Sequence, residues 1–240
     1  MILCVDIGNT NIVHANWNNN NFDEIGRVKT GKCNLKIHNK EQIKSIAITS
    51  VVPELTNYYQ NYFKTVYNIN PFIVNHKNCG INLDVDNPSE VGPDRICNAI
   101  GGSKKYGTPC IIIDFGSATT YDVVNDKGDF IGGVIAPGID VSANYLIQKA
   151  ALLKQAAFQF PNKIIGRDTE TNLQSGIMYG GLDAVEGMIK RIISETNYKQ
   201  TNIILTGGFG SLISSKMKTP HELDQTITLY GLKLILDKNT

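Results

Sequence analysis

Ile2-Leu3-Cys4-Val5-Asp6-Ile7-Gly8-Asn9-Thr10 decides the fold, because Ile111-Ile112-Ile113-Asp114-Phe115-Gly116-Ser117-Ala118-Thr119-Thr120 repeats its layout half a chain later. Each is an apolar run that ends in Asp-x-Gly and a small polar cluster. A second β-prone run follows in both places, Ile12-Val13-His14-Ala15 and Tyr121-Asp122-Val123-Val124. Strand, tight glycine turn, strand reads as a β-hairpin. The apolar first strands suit burial on both faces. Two such hairpins half a chain apart predict duplicated halves. Gly107-Thr108-Pro109 punctuates the chain between them and divides it into 1–108 and 109–240.

Working outward, strands and helices alternate in both halves, which predicts an α/β class. In the first half, Ser45 to Val52 reads as a strand stopped by Pro53, residues 54–66 as a helix and 72–74 as a short strand. A helix over 95–105 opens near Pro93, where the missing N–H costs least. The polar tract 18–21 reads as a hairpin loop carrying Trp17 beside it. In the second half, residues 131–135 read as a strand before the Pro137-Gly138 turn. Helices follow over 141–158 and 173–196, then a strand over 202–206 that runs into Gly207-Gly208, and a closing helix over 230–237.

Composition bounds the function. The chain has 240 residues, 42% apolar and 19% charged, with a formal net charge of +1. No global field attracts nucleic acid or anionic lipid, so an anion site must be local. The five cysteines are scattered, without a Cys-x-x-Cys pair, and read as packed free thiols in a reducing compartment. The first residues show no signal-peptide pattern and no apolar run is long enough to span a bilayer, so the expected location is cytoplasmic. His14, His38, His76 and His221 show no metal spacing. Tyr58, Tyr59 and Tyr62 read as helix packing rather than a base-stacking platform.

Two constellations carry chemistry. Paired Asp-x-Gly turns suit nucleotide phosphates, because glycine lets the backbone approach an anion and turn N–H groups can point at it. The aspartates would hold a cation that screens the phosphates. Either turn alone is also an ordinary hairpin. The sequence contains neither a Walker A lysine motif nor Gly-x-Gly-x-x-Gly. The second constellation is Gly92-Pro93-Asp94-Arg95 at a helix start. Asp94 could take a proton from an alcohol, and Arg95 could hold an anionic group with a forked pair of hydrogen bonds. A helix cap with a surface ion pair is the other reading of the same residues.

Taken together and in order, these segments resemble the type III pantothenate kinases of the actin-like superfamily. Asp6-Ile7-Gly8-Asn9-Thr10 is similar to the family's opening phosphate loop, and Ser50-Val51-Val52-Pro53 to its first-half strand end. Gly92-Pro93-Asp94-Arg95 resembles Gly-Ala-Asp-Arg. Asp114 to Thr120 resembles Asp-Phe-Gly-Thr-Ala-Thr-Thr. Gly132-Gly133, Ala136-Pro137-Gly138, Thr169 and Gln174-Ser175-Gly176 follow in the family's order.

The resemblance implies a fold of two duplicated actin-like (ribonuclease H-like) halves around a nucleotide cleft. It implies transfer of the ATP γ-phosphate to the primary hydroxyl of pantothenate, with Mg²⁺ and a monovalent cation, potassium or ammonium. Asp6, Ile7, Gly8, Asn9, Thr10, Asn11, Ile12 and Val13 would form the first ATP loop, and Ser117 would touch ATP in the second. Asp114 would help bind the monovalent cation. Asp94 would be the proton acceptor. Gly92, Pro93 and Arg95 would line the pantothenate pocket, and Thr169 would also touch pantothenate. A homodimer through the helices at 141–158 and 173–196 is implied as well, without nucleic acid or membrane partners. Three positions depart from the family pattern: Val85 stands where a pantothenate-contacting tyrosine is usual, Pro93 replaces alanine, and Ser117 replaces threonine. A kinase of another small acceptor and a non-catalytic ATP-binding regulator are the competing readings.

Overall fold

The computed structural model describes residues 1–33, 35–198 and 200–240. In chain order the elements are β1 (Ile2–Ile7), β2 (Asn11–Asn18), β3 (Asn21–Lys29), β4 (Ser45–Ser50), α1 (Pro53–Tyr67), β5 (Phe72–Ile73), α2 (Pro93–Tyr106) and β6 (Cys110–Phe115). Then come β7 (Ala118–Val124), β8 (Phe130–Pro137), α3 (Ile139–Lys149), α4 (Thr169–Thr196), β9 (Asn202–Gly207), α5 (Gly210–Ser214), β10 (Glu222–Leu223) and α6 (Ile227–Asn239). The α/β class is the one expected.

The strands form two five-stranded sheets, ordered β3-β2-β1-β4-β5 and β8-β7-β6-β9-β10. Counted within each sheet, both orders are third, second, first, fourth, fifth. The duplication suggested by the two Asp-x-Gly hairpins is therefore a duplication of sheet topology. In the first sheet β1 and β2 are antiparallel, as are β2 and β3, while β4 runs parallel to both β1 and β5. In the second, β9 runs parallel to both β6 and β10.

Two compact units result, and they are not two continuous halves. One contains Met1–Thr108, Asp122–Gly132 and Thr226–Thr240; the other contains Pro109–Tyr121 and Gly133–Gln225. The closing helix thus packs with the first unit.

In the first unit the period-2 alternation of β1 feeds two cores. Leu3, Val5 and Ile7 meet Leu55, Tyr59 and Phe63, which recur every fourth residue along α1. Cys4 points to the opposite face and joins Ile96, Cys97, Ile100, Leu232, Ile235 and Leu236 of α2 and α6. Alternation therefore gives Asp6 the face of Cys4, the side that carries α2. Helices α2 and α6 pack through glycines. A methyl at Gly231 would overlap the carbonyl oxygen of Cys97, and one at Gly101 would overlap that of Ile227.

Several elements differ from expectation. Helix α3 ends at Lys149, with Ala150 extended, rather than continuing to Phe158. Residues 150–158 include good helix formers, but Leu152 is 92% exposed and no apolar stripe is buried there. Short helices need such burial to form. Phe158 instead packs edge-on against Phe209, with ring centroids 5.1 Å apart. The hairpin loop expected over 18–21 joins β2 to β3, whose own bounds the sequence did not give because its outward positions dilute the alternation on an edge strand. Its hairpin turns at Asn19 and Asn20, both with positive φ, as a two-residue primed turn needs. No helix among the described residues is long and apolar enough to cross a membrane.

The glycine packing gives a test. Gly231→Ala should destabilise the fold by about 3 kcal/mol or more, because the overlapped atom is backbone and cannot rotate away. Gly187→Ala, on an open face of α4, should be neutral or stabilising by up to about 1 kcal/mol. Urea unfolding of both variants measures the contrast, and equal midpoints would contradict it.

Candidate active site

The first turn joins β1 to β2. Gly8 N–H donates to Asn11 O at 3.0 Å, and Thr30 N–H donates to Thr10 O at 3.0 Å. The Thr30 hydroxyl donates to Gly8 O at 2.6 Å. Asn9 and Thr10 are exposed at the tip, while Asp6 is half-buried at the end of β1, between Val13 and Thr49. The Gly8 N–H closes its own hairpin. It is not the donor that a phosphate would meet, so glycine contributes here by letting the chain turn tightly.

The second element of the same unit is the start of α2. Gly92 is the residue before the helix and Pro93 its first residue. Asp94 turns its carboxylate back, and its Oδ1 accepts the N–H of Arg95 at 2.8 Å. The same oxygen lies 2.5 Å from where a Cβ on Gly92 would stand. Any side chain at 92 would push the Asp94 carboxylate out of this position. Withdrawal from water raises the Asp94 pKa above the ordinary carboxylate value, and the pull of Arg95 only partly offsets it.

Asp94 and Asp6 share a neighbourhood. Cys97, buried one turn further along α2, has its thiol pKa pushed far up by burial first, and the charges of Asp6 and Asp94 add in the same direction. Both carboxylates are thus within electrostatic reach of one buried sulfur.

Arg95 does not form the surface ion pair that was one of its two readings. Its Nε donates to Asp122 Oδ1 at 2.6 Å, and the two side chains are 15% and 0% exposed. Its guanidinium carbon lies 5.5 Å from the centroid of the buried Phe130 ring. Its Nη2 is buried and meets no hydrogen-bond partner among the described residues. A buried donor left so costs about 1–3 kcal/mol. Asp122 escaped the sequence reading, which took it as part of a β-prone run. A charge between Tyr121 and Val123, both inward-packed, was the available signal.

The second unit holds its own turn. Gly116 N–H donates to Ala118 O at 3.0 Å, so this glycine also closes its hairpin. Two further glycine segments fold onto it. Gly138 N–H donates to Ser117 O at 3.2 Å, and Gly208 N–H to Phe115 O at 2.9 Å. A Cβ on Gly138 would stand 2.6 Å from Gly116 O, and one on Gly207 would overlap Asp114 Oδ1. Gly207 also has φ +82°, which favours glycine. Asp114, paired with Thr206 across the sheet, therefore packs its carboxylate against the bare backbone of Gly207. Glycine at these positions lets the segments pack main chain to main chain beside Asp114. Among the described residues no group of three or more His, Cys, Asp or Glu side chains could hold a metal.

The remaining candidates sit as follows. Asn82 and Asp84 bond to Phe130 through the backbone, which brings Val85 beside β8. Its Cγ1 lies 3.9 Å from where a Cβ on Gly132 would stand. Thr169 is the exposed first residue of α4, whose start is capped by Asp168 accepting from Thr171 N–H at 2.7 Å. Glu186 accepts the N–H groups of Lys218 and Thr219, a structural tie.

Because the Asp94 pKa is raised, folding favours its protonated form. Stability from this group is present at low pH and is lost as pH rises through the folded pKa. Asp94→Asn should therefore melt above wild type at pH 8, by about 2–4 °C for each kcal/mol of desolvation relieved. The gap should close at pH 4. A variant less stable than wild type at both pH values would contradict this.

The family model described as type III pantothenate kinase matches residues 2–191. A type III pantothenate kinase of Citrifermentans bemidjiense is 37% identical over 254 residues, covering 100% of both chains. Among solved structures, a Campylobacter jejuni protein described as a Baf family transcriptional activator superposes with a TM-score of 0.61 at 19% identity, covering 99% and 98% of the two chains. The Clostridium difficile activator of 2-hydroxyisocaproyl-CoA dehydratase, with bound ADPNP, superposes with a TM-score of 0.56 at 12% identity, covering 99% and 96%. These two likenesses concern the fold, which is actin-like. The match of the family model and the full-length identity establish that the chain belongs to the type III pantothenate kinase family.

Proposed function

We propose that this chain phosphorylates pantothenate at its primary hydroxyl with ATP, giving 4'-phosphopantothenate, the first step of coenzyme A biosynthesis. Family membership supports the reaction. The observation that carries the residue roles is the half-buried Asp94 carboxylate, of raised proton affinity, one residue from a guanidinium with an unpartnered N–H.

Asp94 accepts the hydrogen bond of the acceptor hydroxyl. The hydroxyl oxygen attacks the γ-phosphorus, the bond from that phosphorus to the β–γ bridging oxygen breaks, and ADP leaves. The proton passes to Asp94. A base whose pKa lies nearer the working pH than a free carboxylate holds that proton better. Phosphoryl transfer asks mainly for positioning and charge stabilisation, so the fixed start of α2 matters more than strong basicity.

Asp6 through Val13 and Ser117 contact ATP, each through loops whose glycines keep the main chain bare. Mg²⁺ and a monovalent cation, potassium or ammonium, screen the phosphate charge when bound; Asp114, a carboxylate beside the second turn, would help hold the monovalent ion. A divalent ion held largely by phosphate oxygens and water needs no all-protein cage. Gly92, Pro93, Arg95 and Thr169 contact pantothenate. Nε of Arg95 is committed to Asp122, so the acceptor meets the guanidinium from the Nη side. A second copy of the chain covers the apolar residues exposed along α3, namely Val141, Tyr145 and Leu146. The protein works in the cytoplasm.

A coupled kinase assay tests this reading. Wild type should turn over pantothenate with potassium present and slow when sodium replaces it. Asp94→Ala should lose about a hundredfold in kcat or more, the usual scale for a general base. Equal rates in the two salts would remove the cation role of Asp114, and near-normal turnover of Asp94→Ala would remove Asp94 from the chemistry. Sedimentation should give a dimer; a monomer would contradict the assignment of α3.

A further inference from the structure

The buried pair behind the acceptor motif calls for its own explanation. Asp122 lies in β7, four residues beyond Ala118, and its side chain is wholly buried. Its Oδ1 accepts from Nε of Arg95 at 2.6 Å. Phe130, fully buried in β8, presents its ring to the same guanidinium. A hydrogen bond to Nε fixes the plane of a guanidinium, and an aromatic ring near it limits rotation about that bond.

A pair retained for stability alone would be expected to satisfy every buried donor, since apolar residues of similar volume serve as well as a buried ion pair. Here the Nη2 donor stays unsatisfied while Nε is held tightly. The arrangement leaves one guanidinium donor without a partner while its neighbour is fixed. We infer that Asp122 is a positioning residue: it clamps Arg95 by Nε, with Phe130 beside it, so that the guanidinium is held in one orientation for an oxygen of the bound acceptor. Asp122 itself does not touch the acceptor. This inference rests on the pantothenate reading and deepens it.

The test is steady-state kinetics of the full chain with pantothenate and ATP varied separately. Asp122→Ala frees the guanidinium and should raise the KM for pantothenate about tenfold or more, as loss of one well-placed charge-assisted hydrogen bond does. The KM for ATP should stay within about twofold, a split that general loosening of the fold would not produce. Asp122→Asn keeps an oxygen for Nε and should fall between wild type and alanine. In an Arg95→Ala background, Asp122→Ala should add nothing further to the pantothenate KM, because the clamp then has nothing to hold.

Additive effects of the two substitutions, or parallel changes in both KM values, would overturn the inference. If the alanine variant does not fold, Asp122→Asn decides. A pantothenate KM raised about threefold or more with the ATP value unchanged supports the clamp, and an unchanged pantothenate KM overturns it. Absence of pantothenate turnover by wild type would sink the functional reading and this inference together. Normal wild-type turnover with insensitive Asp122 variants would sink only the inference.

Discussion

Helix α2 can lie against α6 as it does only because neither Gly101 nor Gly231 carries a Cβ. That backbone approach sets the height of α2 over the first sheet, and the rest of the acceptor motif follows from it. Cys97 is buried between sheet and helix, Asp94 starts the helix on the face that Asp6 shares, and Arg95 reaches Asp122. Pro93 fits this start, because the first helical residue needs no N–H and the ring fixes its φ near a helical value. The start of α2 is thus held by packing along its length and by an ion pair at its end.

The two units use glycine differently. In the first, glycines bring two helices together. In the second, Gly138 and the Gly207-Gly208 pair bring two chain segments against the turn that follows Asp114. In both places glycine permits close backbone approach, and only the neighbours show what is brought together. Sequence alone pairs Gly207-Gly208 with the Asp-x-Gly turns but gives no means to see that Gly231 is the tighter position.

The hairpins, the helix over the acceptor motif and the duplicated layout were legible because each rests on a local rule: an apolar run, a glycine turn, a proline at a helix start. The parts that were not legible rest on distant partners. Residues 150–158 have the propensity for helix but no surface to bury. The closing helix packs with the first unit, which no local pattern records. Asp122 looked like one residue of a strand, and its meaning depends on Arg95, distant in sequence and adjacent in space. Val85 was recognised as a departure, yet its packing beside Gly132 needed coordinates.

Burial raises the proton affinity of the Asp94 carboxylate, which suits it to accept a proton from an alcohol. The pH dependence of kcat/KM for pantothenate reports the ionisation of that group in the free enzyme. The account predicts an acid limb whose midpoint lies above the ordinary aspartate value of about 4, with full activity only where Asp94 is ionised. A profile that stays flat down to that value would contradict it.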